Sequence, residues 1–189
     1  MLIFITGGVR SGKSSYAEQT ATHLLTAGVS AYYVATSIRT DEEMILRIQK
    51  HQMDRDRDHV KWTTFEQQRD LHKLAGLFQT GDVVLLDCLT NLLNNELFEG
   101  WESGAAQWTS PMYREKVYAK VLTAINKLLE TNIQLIIVSN ELSFDLMSSN
   151  KDGTYYFIEL LGKLHQVIVQ KSDLAFLVED GIPIIMKGS

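Results

Sequence analysis

The sequence predicts an α/β domain, in which a mainly parallel β-sheet carries helices on both faces. Short apolar runs alternate with stretches of helical spacing along most of the chain. Parallel neighbours need crossover connections, which helices usually supply, so this alternation favours a parallel sheet buried on both sides. The last two apolar runs are separated by only a short glycine-bearing turn, which predicts an antiparallel hairpin at the C-terminal edge of the sheet.

Six apolar runs are the predicted strands: 2–6, 31–35, 83–86, 134–138, 174–178 and 182–186. A first helix is predicted from Lys13 to about Thr26, where Gly28 follows as a stop. Residues 40–43 read Thr-Asp-Glu-Glu, a capping box that predicts the start of another helix. The polar stretch 99–110 separates two helical segments and is predicted to be a mobile or partner-facing insertion.

Composition limits the class of protein. The chain has 189 residues, of which 45% are hydrophobic, which is enough for the core of a single domain spanning 1–189. A net charge of −5 argues against a broadly basic nucleic-acid-binding surface. Cys88 is the only cysteine, so an intramolecular disulfide is impossible and a reducing cytoplasm is the expected location. The apolar start is too short for a signal peptide or a membrane span.

A phosphate-binding loop, or P-loop, is predicted directly after the first strand. Its residues, which fit G-x-x-x-x-G-K-[ST], are Gly7, Gly8, Val9, Arg10, Ser11, Gly12, Lys13 and Ser14. The glycines let successive N–H groups point at phosphate oxygens, and the following helix start adds its positive dipole end. Lys13 would neutralise β/γ-phosphate charge and Ser14 would ligate Mg²⁺. The alternative, an accidental glycine-rich turn, is disfavoured by the strand before it and the helix after it.

Asp87 is the second candidate for the metal. It ends the apolar run 83–86, which matches the Walker-B arrangement of an acid reaching the metal from a neighbouring strand. Many buried strands end in Asp merely as a turn or cap, so this signal depends on the P-loop beside it. The glycine spacing is not G-x-G-x-x-G, which disfavours a Rossmann dinucleotide site.

Two further residues have both a functional and a structural interpretation. His51 shares a helical stripe with apolar residues, and a neutral imidazole can attack phosphorus, although a histidine near a helix end is usually just solvated. From its own pattern His51 is therefore interpreted as structural. Glu66 is either a ligand contact or an acid early in a helix. The other histidines, including His165, show no motif and are interpreted as structural or surface residues.

Several segments together resemble the bifunctional adenosylcobinamide kinase/adenosylcobinamide-phosphate guanylyltransferase family. The segments that match, in the family's order, are 6–14 with 17–18, 33–37, 41–44 running into Arg-Ile-Gln-Lys-His at 47–51, Trp-Thr-Thr-Phe-Glu at 62–66, 86–91 and Val-Ser-Asn-Glu at 138–141. They span most of the chain. This ordered set is far more selective than a P-loop alone, and it moves the interpretation of His51 from structural to functional.

The resemblance implies two reactions and a set of site residues. The hydroxyl of the aminopropanol arm of adenosylcobinamide would be phosphorylated by ATP or GTP, and GMP from GTP would then be joined to that phosphate. His51 matches the histidine that would carry the GMP as a guanylyl-histidine. Lys13 and Mg²⁺ would assist at the phosphates, with Ser14 and Asp87 holding the metal. Further nucleotide contacts are implied from Ala35, Thr36, Ser37, Gln52, Arg55 and Glu66. A RecA-like sheet and a homotrimer are also implied.

The chain departs from the family pattern mainly in its C-terminal third. Tyr156 stands where an arginine is expected, and His165-Gln166 replaces the usual Asn-Gln pair. These departures bear on recognition of the substrate arm and leave the P-loop and the His51 motif intact. Two other functions stay open: a P-loop kinase or NTPase of the same fold that acts on another small molecule without guanylylating His51, and a non-catalytic GTP-binding regulatory protein.

Overall fold

A computed structural model of the chain describes residues 1–37, 60–142 and 151–188. The predicted helix start at 40–43 and the candidate site residues His51, Gln52 and Arg55 lie outside the described residues.

The described residues form one seven-stranded sheet. Its strands are β1 (Leu2–Gly7), β2 (Ala31–Ala35), β3 (Trp62–Glu66), β4 (Val83–Asp87), β5 (Gln134–Asn140), β6 (Leu174–Glu179) and β7 (Ile182–Lys187). They lie side by side in the order β3-β2-β4-β5-β1-β6-β7. Every adjacent pair is parallel except β6 with β7, which is antiparallel. The predicted parallel sheet with an antiparallel C-terminal edge is confirmed.

The helices of the described ranges are α1 (Lys13–Leu24), α2 (Leu89–Leu97), α3 (Pro111–Glu130) and α4 (Gly153–Lys171). Their starts follow from local chemistry. Proline stands at the first position of α3, where its missing N–H costs nothing. The Asp152 carboxylate accepts a hydrogen bond from the Tyr155 backbone N–H at 3.0 Å and so caps α4. Three short 3₁₀-helices lie at Leu71–Leu74, Trp101–Ser103 and Gln107–Thr109.

Helices cover both faces of the sheet, as predicted. Because side chains alternate along a strand, even- and odd-numbered residues of β1 enter different cores. Leu2 and Phe4 pack into the larger core, which contains the buried sides of α2, α3 and α4. Ile3 and Ile5 pack into the smaller one, together with Ala17 and Ala21 of α1. The central strands are buried on both sides, so they read as continuous apolar runs rather than alternating ones.

One strand is additional to the six that the sequence predicts. Residues 62–66 form β3 at the edge of the sheet, parallel to β2. Glu66 ends this strand, so its interpretation as an early-helix acid is wrong. Three of the five side chains of β3 are exposed, which explains why the segment lacks the apolar run of a buried strand.

The insertion at 99–110 has a mixed character. Trp101 is 63% exposed, in keeping with a partner-facing segment. Trp108 instead packs against the larger core, with its ring 6.3 Å from those of Phe98 and Tyr156. Among the helices in the described ranges, none combines the length and the apolar character needed to cross a bilayer.

Candidate active site

The predicted P-loop leads from β1 into α1 at the carboxyl edge of the sheet. The Ser11 N–H donates to the Gly8 carbonyl at 3.2 Å, which closes a turn at the tip of the loop. The Tyr16 N–H donates to the Gly12 carbonyl at 3.0 Å and begins the helix. The first N–H groups of α1 therefore face the space enclosed by the loop, where an anion would be stabilised by them and by the helix dipole.

Two glycines of the loop are required by its geometry. A Cβ on Gly7 would stand 2.4 Å from the Val178 carbonyl oxygen of β6, which is too close for any side chain. Gly12 has a φ of +90°, in the left-handed region that L side chains rarely adopt, and a Cβ there would lie 3.1 Å from the Gly181 Cα. The Gly181 N–H also donates to the Ser11 carbonyl at 2.8 Å. The turn between β6 and β7 thus packs directly against the P-loop.

Lys13 and Ser14 occupy the first turn of α1. The Lys13 side chain is folded back over the loop, with its Nζ donating to the Gly8 carbonyl at 3.0 Å, and the residue is only 8% exposed. Ser14 beside it is half-buried. An ammonium held over a phosphate-binding loop is the arrangement that neutralises a bound polyphosphate.

Asp87 ends β4 at the same edge of the sheet as the P-loop. The prediction that Asp87 ends the strand next to the P-loop strand is wrong, because β5 lies between β4 and β1. Two strand spacings separate the Asp87 backbone from the P-loop strand by about 10 Å. The Tyr33 hydroxyl donates to Asp87 Oδ2 at 2.9 Å and fixes the orientation of the carboxylate.

A magnesium ion fits the donors that the site offers. Mg²⁺ prefers oxygen ligands and usually takes only one or two from protein, with phosphates and water completing its shell. The Ser14 hydroxyl and the Asp87 carboxylate are such oxygens, and the fold brings both to the carboxyl edge. Within the described ranges no cluster of three or more His, Cys, Asp or Glu residues could hold a metal by itself.

The other predicted nucleotide contacts in the described ranges lie along the same edge. Ala35 stands in register with Glu66 on one side and with Asp87 on the other. Ser37 follows, half-buried. Thr36 is fully buried, and its hydroxyl donates to the Cys88 carbonyl at 2.7 Å while accepting from the Cys88 N–H at 2.8 Å. Its side chain is therefore committed to holding the segment that follows Asp87.

Cys88 lies next to Asp87 and takes no part in the polar surface of the site. Its peptide bond to Asp87 is cis, and its Sγ accepts from the Asn91 N–H at 3.5 Å as the N-cap of α2. Burial, helped by the charge on Asp87, raises the pKa of the thiol to about 12. The group is therefore a neutral thiol at physiological pH rather than a nucleophile.

Sequence reasoning missed a chain of three polar side chains behind the carboxyl ends of β4 and β5. The oxygens of Thr90 and Ser139 lie 3.0 Å apart, and Ser139 Oγ lies 2.7 Å from His165 Nε2. The Asn140 N–H donates to Thr90 Oγ1 at 2.8 Å. We call these residues the Thr90–Ser139–His165 chain. The sequence segments 86–91 and 138–141 include Thr90 and Ser139, and His165 stands at a departure from the family pattern, but none of these signals indicated the contacts.

A cleft of about 340 Å³ opens beside the P-loop. It is lined by loop residues 8–11, by Glu141 and by residues 177–180 of β6 and its turn. The Glu141 N–H donates to the Gly7 carbonyl at 2.9 Å, which ties the end of β5 to the start of the loop. The site thus combines an anion-binding loop, a buried lysine, a fixed carboxylate and an adjoining cleft. Such a site can bind a nucleoside triphosphate and transfer a phosphoryl group.

Comparison with known proteins agrees with this geometry. Residues 3–186 match the family described as cobinamide kinase / cobinamide phosphate guanyltransferase. The bifunctional adenosylcobalamin biosynthesis protein CobU of Salmonella typhimurium is 30% identical over 189 residues, which cover 99% of this chain and 100% of that protein. CobU of Escherichia coli is 29% identical with the same coverage.

Among solved structures, an ATPase domain superposes on this chain with a TM-score of 0.55 at 11% identity. The superposition covers 99% of this chain and 76% of that one. At this identity the likeness concerns the fold alone, and it confirms the predicted P-loop NTPase fold with a RecA-like sheet.

Proposed function

The chain belongs to the cobinamide kinase / cobinamide phosphate guanyltransferase family, and on that premise we propose that it phosphorylates adenosylcobinamide and then transfers GMP from GTP to the new phosphate. The observation that carries the proposal is the family match over residues 3–186. The matched segment includes the P-loop with its lysine and serine and, at the same edge of the sheet, the Walker-B carboxylate Asp87. The products would be adenosylcobinamide-GDP and pyrophosphate. We also propose that the chain acts as a single nucleotide-binding domain.

In the first step, the substrate hydroxyl oxygen would attack the γ-phosphorus of ATP or GTP, and the bond from that phosphorus to the bridging oxygen would break. The nucleoside diphosphate leaves, and the hydroxyl proton passes to solvent or to a nearby base. Lys13 and the N–H groups of the P-loop would stabilise the charge that builds on the phosphate oxygens. Mg²⁺, bound through Ser14 and Asp87, would supply further positive charge there.

For the second step we propose His51 as the nucleophile. An imidazole nitrogen would attack the α-phosphorus of GTP and release pyrophosphate, which leaves a guanylyl-histidine. A phosphate oxygen of adenosylcobinamide phosphate would then attack the same phosphorus and free the histidine. The resemblance of 47–51 to the family motif supports this role, since it places His51 at the motif's histidine.

The remaining nucleotide contacts are proposed from Ala35, Ser37, Gln52, Arg55 and Glu66. The shared register of Ala35, Glu66 and Asp87 supports the idea that the two outer strands contribute to the site. For Thr36 we propose an indirect role. Its buried hydroxyl supports a contribution through the peptide segment it holds rather than through direct contact with nucleotide.

We further propose a homotrimer that works in the cytoplasm. Self-association is supported by β7, an edge strand whose Ile182, Ile185 and Met186 are each more than 60% exposed. Cys88 is a free, buried thiol, and free thiols are common in proteins of a reducing compartment, which supports the cytoplasmic location.

The test is incubation of the purified protein with Mg²⁺ and α-labelled GTP, followed by intact-mass measurement and peptide mapping. A GMP adduct on His51 is expected, stable to base and labile to acid, as a phosphoramidate should be. It should be absent from His51→Ala and Lys13→Ala and present in His72→Ala, a control at an exposed histidine. Phosphorylation of adenosylcobinamide without any adduct would leave a kinase that does not guanylylate His51. GTP binding without either reaction would favour a regulatory protein.

A further inference from the structure

The Thr90–Ser139–His165 chain is built from side chains that the proposed reactions do not use. Thr90 is 7% exposed and Ser139 is fully buried, so leaving either hydroxyl without a partner would carry a desolvation cost. Each hydroxyl finds its partner within the Thr90–Ser139–His165 chain. The His165 ring also packs edge-on against Phe4 of β1, with 5.0 Å between ring centroids.

The Thr90–Ser139–His165 chain joins three elements at the carboxyl edge of the sheet. Thr90 lies in the first turn of α2, Ser139 lies near the end of β5, and His165 lies in the middle of α4. β5 is the strand between the P-loop strand and the Asp87 strand. Whatever fixes the end of β5 therefore fixes the groups that stand between Lys13 and Asp87.

The two residues that follow Ser139 lie beside the start of the P-loop. Asn140 stands in register with Gly7, and its N–H is held by the Thr90 hydroxyl. Glu141 donates its N–H to the Gly7 carbonyl and lines the cleft beside the P-loop. Two consecutive polar residues are thus placed at the start of the P-loop, one of them directly by Thr90.

We propose that the Thr90–Ser139–His165 chain positions Asn140 and Glu141 against the reacting end of the nucleotide. The inference rests on the proposed kinase and guanylyltransferase function. The P-loop binds phosphates through its own backbone. The Thr90–Ser139–His165 chain should therefore influence the alignment of the reacting groups more than the affinity for nucleotide. A misplacement of about 1 Å at a reacting centre can lower turnover by about 100-fold.

The experiment compares Ser139→Ala and His165→Leu with matched controls at the opposite edge of the sheet. Both variants are expected to lower kcat for phosphorylation of adenosylcobinamide by about 10- to 100-fold, while the Kd for GTP changes less than about threefold. His165→Gln should restore most of the turnover, because its amide nitrogen can replace Nε2 as the partner of Ser139. Ser172→Ala removes another buried hydroxyl, one that donates to the Ile168 carbonyl, and should leave kcat unchanged.

Thr90 gives an independent pair of variants. Thr90→Val keeps the shape of the side chain and loses the hydroxyl, so it should resemble Ser139→Ala, whereas Thr90→Ser should retain turnover. Thr131→Val is the matched control, since the Thr131 hydroxyl donates to the Leu128 carbonyl at the end of α3, away from the site. Equal kcat in Thr90→Val and Thr131→Val would overturn the proposal.

Hydrogen exchange separates this proposal from the proposed function. In the wild type the amides of 140 and 141 should exchange slowly, and more slowly still with GTP, and Ser139→Ala should remove the additional protection. If the wild type fails to phosphorylate adenosylcobinamide, the proposed function fails, but this exchange pattern still tests the positioning. Unchanged GTP-dependent protection in Ser139→Ala, with an unchanged melting temperature, would overturn it.

Discussion

At the scale of single residues, the polar groups around the site divide into those that face the nucleotide side and those that hold the edge of the sheet together. Thr36, Thr90 and Ser139 belong to the second kind, because each is buried and spends its hydroxyl on a protein partner. Lys13 and Glu141 belong to the first kind, because Lys13 lies folded over the P-loop and Glu141 lines the cleft beside it. A sequence motif includes both kinds without distinguishing them, which is why the motif alone predicts Thr36 as a direct contact.

His165 should make the stability of the protein depend on pH. Burial lowers its pKa to about 4, against an ordinary value of 6.5, although the charge of Glu141 works in the other direction. The folded state therefore keeps the imidazole neutral while the unfolded chain takes up a proton below about pH 6.5. The neutral imidazole therefore makes a contribution to the free energy of unfolding that is fully present above about pH 6.5 and is lost as pH falls towards about 4.

We expect wild type to lose about 2 kcal/mol of unfolding free energy between about pH 7 and about pH 5 from this group alone. His165→Gln should lose correspondingly less over the same interval. Urea unfolding followed by tryptophan fluorescence across that interval measures the difference. Parallel pH profiles for the two proteins would show that His165 is not held neutral.

At the scale of elements, an ion pair with a buried carboxylate attaches the short helix at Leu71–Leu74 to α2 and α3. Glu96 of α2 is 3% exposed, and its carboxylate accepts from the Lys120 ammonium of α3 and from the Asp70 N–H at 2.7 Å. Lys120 also pairs with Asp70. Hydrogen bonds from Lys120 and then Lys73 hold the pKa of Asp70 well below its ordinary value.

Lys120→Met should therefore destabilise the protein by about 3 kcal/mol, because it leaves the Glu96 carboxylate buried without its counter-charge. Lys163→Met is the matched control. It removes an exposed ion pair with Glu159 one turn away on α4 and should cost less than about 0.5 kcal/mol. Chemical denaturation of both variants at neutral pH provides the comparison, and equal losses would contradict the importance of burial.

The same scale shows what the sequence could and could not predict. The P-loop was predictable because residues 7–14 are contiguous and their spacing carries the geometry. The central strands were predictable because both faces are buried, which makes their sequences continuous apolar runs. β3 was missed because an edge strand of five residues needs no such run. The Thr90–Ser139–His165 chain was missed because its members lie 49 and 26 residues apart and meet only after folding.

At the scale of the whole molecule, the described surface is apolar along β7, the strand proposed above to support self-association. Ile185→Lys places a charge on a side chain that is 61% exposed, so the fold should survive while the association weakens. Light scattering after size-exclusion chromatography should show a smaller mass for this variant than for wild type. Leu77→Lys is the control, at another exposed apolar residue that lies in the loop before β4. An unchanged mass for Ile185→Lys would exclude β7 from the interface.

The position of β1 in the sheet has a consequence for how the protein is made. Of the seven strands β1 is the first to leave the ribosome, yet its partners are β5 and β6, and its terminal contacts reach residues 132 and 171 positions away. At about 5–20 residues per second, β1 waits on the order of 10 to 30 seconds before its partners are synthesised. Until then its apolar side chains have no sheet to join. During translation the nascent chain therefore exposes an unpaired apolar strand, and the contacts between the P-loop and the turn that joins β6 to β7 are among the last to form.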